Sequence, residues 1–197
     1  MAKQIEFWFD LGSPAAYLAW KRLPKFQRQT GAAVAHKPML LGGVFKATGN
    51  ASPVTIPAKG KWLLDDLART ARRDGVPLAY APGFPINTLA LMRGAIGLQM
   101  RKPERFEAYV DAMFDAMFGQ PKDMRDEKTI GAVLAAAGFV PAEILALTAD
   151  PEVKQALIKN TEEAISRGVF GAPTFFVGKE MFWGQDRMDA VAEALAA

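Results

Sequence analysis

Ser13 stands in the run Asp10-Leu11-Gly12-Ser13-Pro14, between a β-forming stretch and an apolar helical one. Serine followed by proline is a favoured helix start. The hydroxyl caps the first turn, and proline takes the first helical position, where its missing N–H is not needed. That is the plain structural reading. The chemical reading adds that a helix N-terminus presents free N–H groups and a positive dipole end, so it stabilises an anion. A serine there can donate to the same anion. A thiolate suits such a place, because thiol pKa values fall below about 8.5 at helix N-termini. The second candidate is Gly171-Ala172-Pro173-Thr174, at the entry to a strand. One reading is an ordinary trans edge proline. The other is a cis bond, which leaves the Ala172 backbone free to pair with an extended, peptide-like ligand opposite the helix start.

Composition closes other routes. The chain has no cysteine, so disulfides, thiolate metal sites and a cysteine nucleophile are excluded. It has one histidine, His36. A Ser-His-Asp relay would have to use it, and a His-rich metal site is excluded. The 24 Lys and Arg against 21 Asp and Glu leave +3, too small and dispersed an excess to argue for nucleic acid. With 50% hydrophobic and 23% charged residues, 197 residues read as an ordinary globular chain of one domain, or one domain with a large insertion. Lys3, Glu6 and Asp10 leave no apolar signal core at the start. The longest uncharged stretch, 75–92, is broken by Pro77, Pro82 and Pro85. The expectation is a cytoplasmic protein with no membrane partner.

Elements must position these residues. Residues 4–9 alternate and are rich in β-formers, so they read as a strand. A helix follows over 15–30, with Tyr17, Leu18, Trp20 and Leu23 on its apolar face; Pro24 is expected to bend or break it and Gly31 to end it. Residues 32–38 form a second strand, completing β-α-β. From about 40 to 168 the pattern is helical: 61–73, 88–100, 103–118, 126–137, 141–148 and 151–167, with a proline-rich loop over 77–87. Phe106, Tyr109, Val110, Met113, Phe114 and Met117 share a helical face that reads as core. Met113, Phe114, Met117 and Phe118 are also expected to leave an apolar surface, which argues for a symmetric homodimer. The last thirty residues give strands 174–177 and 180–182 around the turn Gly178-Lys179, then a helix from Gln185 to Ala196.

Five segments, in order along the chain, resemble those of the 2-hydroxychromene-2-carboxylate isomerases and the kappa-class glutathione transferases. They are FDLGSPAAYLA (9–19), FKATGN (45–50), PAKGKWLLDDLAR (57–69), FGAPTFFV (170–177) and FWGQDRMD (182–189). The resemblance implies an α/β, thioredoxin-like fold (β-α-β, then β-β-α) with a large all-helical insertion. The thioredoxin-like domain would take residues 1–40 and 169–197, and the insertion 41–168. It also implies glutathione as cofactor and a homodimer.

The same resemblance implies roles. Ser13 falls at the catalytic serine. Ala172, ahead of a cis Pro173, would pair with the cysteinyl backbone of glutathione. Gln185 and Asp186 would take the γ-glutamyl end, where a helix start suits the carboxylate and Asp186 the ammonium. Asn50 lines the same site, Lys59 and Asp66 match positions that reach glutathione, and Asp66 does so across the dimer. Lys46 and Asn87 fall toward the substrate, a small aromatic 2-oxo acid or electrophile. Both also read as solvated surface groups. Ala15 and Ala16 stand where relatives often carry an aromatic residue and a serine, so one wall of the pocket is smaller, and Ala172 and Gln185 stand in place of a larger aliphatic residue and an Asn or Ser. The implied activity is a glutathione-dependent cis-trans isomerisation in aromatic catabolism. The alternatives are a kappa-like transferase and a catalytically silent binding dimer.

Overall fold

The computed structural model describes residues 3–197, so the first two residues of the expected terminal domain lie outside the described residues. The first strand, β1 (Gln4–Phe9), runs into helix α1 (Pro14–Thr30), which returns to β2 (Ala33–Pro38). Seven α-helices follow: α2 (Leu41–Thr48), α3 (Pro57–Asp74), α4 (Leu89–Arg101), α5 (Phe106–Phe114), α6 (Glu127–Ala136), α7 (Pro141–Ala149) and α8 (Pro151–Ser166). The hairpin β3 (Thr174–Val177) and β4 (Glu180–Trp183) and helix α9 (Met188–Ala196) close the chain. The sheet order is β2-β1-β3-β4, with β1 parallel to β2 and the other pairs antiparallel. This is the thioredoxin-like arrangement expected, with helices inserted between β2 and β3.

Alternation along β1 sends its side chains to two faces. Ile5, Phe7 and Phe9 join Tyr17 and Trp20 of α1, Val191 of α9, and Met92, Met113 and Phe114 of the inserted helices. Trp8 faces the other way, with Val44 of α2, Ala164 of α8 and Phe176. The core therefore runs without a break from the sheet into the insertion.

Four expectations change. Pro24 lies inside α1 without ending it. The apolar face from Ala16 to Phe26 is buried on both sides of it, and that packing outweighs one missing hydrogen bond. The last helix begins at Met188, because Gln185–Arg187 form a separate 3-10 turn. Met113, Phe114, Met117 and Phe118 are fully buried within the chain, so they offer no surface to a partner. Their spacing carried the core reading, and the core absorbs them. The segment 103–118 is also not one helix: α5 ends at Phe114, and a π-helical turn takes Asp115–Gly119.

Candidate active site

The end of β1 folds into a tight turn. The Ser13 N–H donates to the Asp10 carbonyl at 3.0 Å, and the Gly12 N–H donates to the Asp10 carboxylate at 2.7 Å. The turn delivers Ser13, in extended backbone, to the N-cap of α1. Its hydroxyl oxygen accepts from the Ala16 N–H at 3.1 Å, as a capping serine does. The same hydroxyl donates to the Ala172 carbonyl at 2.9 Å. Ser13 is therefore both the cap of the helix and the link to the second candidate segment.

That segment has the expected cis Ala172–Pro173 peptide, and a second cis bond, Phe84–Pro85, was not anticipated. One backbone and one side-chain hydrogen bond hold the carbonyls of the cis-proline loop. The Gly184 N–H donates to the Pro173 carbonyl at 3.0 Å, which places Gln185 and Asp186 immediately beyond it. The Asn50 side-chain amide donates to the Phe170 carbonyl at 2.9 Å. Hydrogen bonds thus join Ser13 and Asn50 to the loop that carries Ala172 and Pro173, and Gln185 and Asp186 follow the Gly184 that the Pro173 carbonyl holds.

Gln185 is buried and its backbone carbonyl accepts from Arg22 at 2.7 Å. Arg22 is in turn paired with Asp74. Asp186 is exposed and sits 3.5 Å from Arg187. A groove of about 500 Å³, lined by Arg22, Lys25, Arg73, Asp74, Gln185 and Asp186, opens at this end of the site. These groups fit a peptide-like ligand with a charged amino-acid end. They offer a backbone carbonyl for an amide, a carboxylate for an ammonium, and a helix start with a hydroxyl donor for a sulfur anion.

The other expected residues are not joined to these groups by any hydrogen bond or ion pair among the described residues. Lys46 and Lys59 are exposed on α2 and α3. Asp66 is half-buried and pairs with Arg69 of its own helix at 3.2 Å. Asn87 caps the start of α4, its side-chain oxygen accepting from the Leu89 N–H at 2.9 Å. His36, the one histidine, lies in β2 between the rings of Trp20 and Phe106, 5.1 and 5.4 Å away. Burial pushes its pKa down to about 4. Ser13 has no imidazole base.

Asp10 was missed. It is 2% exposed and accepts from the Gly12 N–H, the Leu41 N–H at 2.8 Å and the Thr88 hydroxyl at 2.7 Å. Burial pushes its carboxyl pKa up, and the bonds from Gly12, Leu41 and Thr88 pull it back. The signal in the sequence was a carboxylate directly after the apolar run Phe7-Trp8-Phe9.

A family model described as a DSBA-like thioredoxin domain matches residues 4–196. A 2-hydroxychromene-2-carboxylate isomerase of Sphingobium xenophagum is 31% identical over 191 residues, covering 96% of each chain. Glutathione S-transferase kappa 1 of Caenorhabditis elegans is 28% identical, covering 98% of this chain and 90% of that protein. The solved structure of a selenomethionine 2-hydroxychromene-2-carboxylate isomerase superposes with a TM-score of 0.85 at 28% identity, covering 98% of this chain and 94% of that one.

Proposed function

We propose that this chain, which belongs to the DSBA-like thioredoxin domain family and to the 2-hydroxychromene-2-carboxylate isomerase group within it, is a glutathione-dependent isomerase of that type. The observation that carries the reading is the Ser13 hydroxyl, capping α1 and 2.9 Å from the carbonyl ahead of the cis proline, in a chain with no cysteine. With no thiol of its own, the site has the features of an anion and peptide cradle and lacks the means of disulfide exchange.

Bound glutathione supplies a thiolate, a nucleophile that can add to a conjugated carbon and leave again, so a double bond can rotate and no glutathione is consumed. The chain's own residues do the rest. Ser13 and the α1 N-terminus hold negative charge on sulfur at neutral pH. The Ala172 carbonyl accepts from the ligand's peptide N–H. Gln185 and Asp186 hold the amino-acid end, and Asn50 keeps the cis-proline loop in register. Lys46 and Asn87 are assigned to the carboxylate and polar groups of a small aromatic 2-oxo acid, and Lys59 to glutathione.

The reading includes a cytoplasmic setting and a homodimer in which Asp66 reaches the partner's site. Trp62, 62% exposed one turn before Asp66 on α3, and Ile56, 49% exposed just ahead of that helix, give apolar surface in place of the buried methionines.

The test is to follow a hydroxychromene carboxylate with catalytic glutathione. Conversion without loss of glutathione supports the isomerase. Stoichiometric adduct formation supports the transferase that the kappa-class relatives suggest. No retention on immobilised glutathione and no conversion would leave only a silent binding fold.

A further inference from the structure

The proposed reaction gives Asp10 no part, yet it is a buried carboxylate at the root of the turn that carries Ser13. Burying such a group is costly unless its oxygens are served. Here three separate segments serve them: Gly12 in the turn itself, Leu41 at the first position of α2, and Thr88 just ahead of α4. Helices α2 and α4 both begin without a side-chain hydrogen bond from their own N-cap residues, Leu40 and Thr88. The Thr88 hydroxyl is committed to Asp10 instead. Thr88 also packs on the turn, since a Cβ added at Gly12 would lie 3.1 Å from the Thr88 methyl group. On the other side, the Tyr17 hydroxyl donates to the Pro77 carbonyl at 2.9 Å, tying α1 to the start of the same proline-rich loop.

We propose that Asp10 and Thr88 are positioning residues for Ser13. Together they lock the Asp10–Ser13 turn to the starts of the two inserted helices, and so fix where the Ser13 hydroxyl and the α1 N-terminus point. The consequence for catalysis rests on the reading of Ser13 as the thiolate's partner. The geometric claim does not.

The chemistry of the site distinguishes the variants. Asp10 offers one oxygen to the Gly12 N–H and the other to the Leu41 N–H. An asparagine there must set its NH2 against one of those donors. Thr88→Val keeps the shape and removes the hydroxyl, while Thr88→Ser keeps the hydroxyl.

Because the chain has no cysteine, Ser13→Cys introduces a single thiol at the turn, whose alkylation rate against pH reports the local field without glutathione. We expect its pKa to lie below the ordinary value of about 8.5. Adding Thr88→Val, which keeps the Asp10 charge, should raise that pKa by about one unit, slowing alkylation at pH 7 by up to roughly tenfold. Asp10→Asn also removes a nearby negative charge, which by itself lowers a thiol pKa. Adding Thr88→Ser should leave it near its starting value. In the chain that keeps Ser13, Thr88→Val should lower kcat more than it weakens glutathione binding, because Gln185 and Asp186 have no bond to Asp10 or Thr88.

A lower melting temperature with unchanged alkylation profiles in the folded variants would overturn the proposal, showing Asp10 and Thr88 to serve stability alone. If Asp10→Asn does not fold, Thr88→Val beside Thr88→Ser decides the matter. A wild-type chain that binds no glutathione, with the alkylation shifts present, would remove the proposed function and leave the positioning role standing.

Discussion

The Ser13 hydroxyl reaches across 159 positions of chain to donate to the Ala172 carbonyl at 2.9 Å. A hydroxyl has one proton to give. Its oxygen already accepts from the Ala16 N–H, so the proton that would steady a thiolate is held by the carbonyl that would receive the ligand's peptide N–H. In the proposed function, a ligand N–H would take the second lone pair of the Ala172 carbonyl while the Ser13 proton turns to the sulfur beside it. Peptide recognition and thiol activation would then meet at one carbonyl oxygen.

The first expected outcome concerns Ser13→Ala. Loss of the cap should cost roughly 0.5–2 kcal/mol of stability. If the hydroxyl also serves the thiolate, the thiol pKa of bound glutathione should rise and turnover at neutral pH should fall roughly a hundredfold. The ultraviolet absorbance of the bound thiolate, titrated beside the wild type, measures this. Superimposed curves with equal rates per folded molecule would assign the serine to the helix alone.

Asp186→Asn tests the amino-acid end of the cradle. Asp186 is exposed and only loosely paired with Arg187, so its removal should not unfold the chain. Glutathione should bind roughly tenfold or more weakly, the loss of one charge-assisted hydrogen bond. Calorimetric titration reads the change, and an unaltered affinity would place the γ-glutamyl group elsewhere.

Local pattern made the sheet and its hairpin readable in the sequence. Alternation marks 4–9, and Gly178-Lys179 marks the turn between β3 and β4. The place of Ala172 opposite the start of α1 was legible from the order of strands and helices, but the direct bond between Ser13 and Ala172 was not, because nothing in spacing brings residues so far apart into contact. Asp10 stayed hidden for a related reason. Its partners Leu41 and Thr88 lie 31 and 78 positions away, and a lone aspartate at a strand end looks like any solvated turn residue. Helix α2 carried little signal, with two glycines in eight residues and no capping side chain. The surface expectation for Met113 and Phe114 failed because helical periodicity shows that a face is apolar, while only the tertiary fold shows what covers it.

The homodimer has a separate test. Sedimentation at micromolar concentration should give twice the chain mass. Trp62→Glu, at a position already 62% exposed, should shift the mass toward the monomer without loss of helix content. A wild-type chain that sediments as a monomer would remove the cross-dimer role of Asp66.

Gly94 sits in the middle of α4, where alanine normally gains about 0.5–1 kcal/mol over glycine. Here the sign should reverse. The Tyr109 hydroxyl, donating to the Leu91 carbonyl at 2.9 Å, occupies the space a Cβ at Gly94 would need. Gly94→Ala should therefore destabilise by about 1–3 kcal/mol through overpacking. Tyr109→Phe alone should cost about 1 kcal/mol for the lost bond. Combined, the two should cost less than their sum, because phenylalanine removes the nearest atom. Strict additivity in a denaturant-based double-mutant cycle would show that Gly94 and Tyr109 do not compete for that space.

His36 should make stability depend on pH in a window that lies mostly above the ordinary carboxylate range. Its ordinary pKa is 6.5, and burial pushes it down to about 4 in the folded chain. Between those values the unfolded chain holds a proton that the folded chain does not, so stability must fall as pH is lowered through that range. Above pH 6.5 the group contributes nothing. From pH 7 to pH 5 the loss should be up to about 2 kcal/mol. His36→Phe keeps an aromatic ring beside Phe7, Trp20 and Phe106. It also keeps the backbone carbonyl that accepts from Gln99 at 2.7 Å. The variant should therefore lose less stability than the wild type over this interval, by the same amount. Urea unfolding of both chains at pH 7 and pH 5 gives the comparison. Equal losses in the two would mean that the imidazole is hydrated in the folded state and titrates as it does in the unfolded chain.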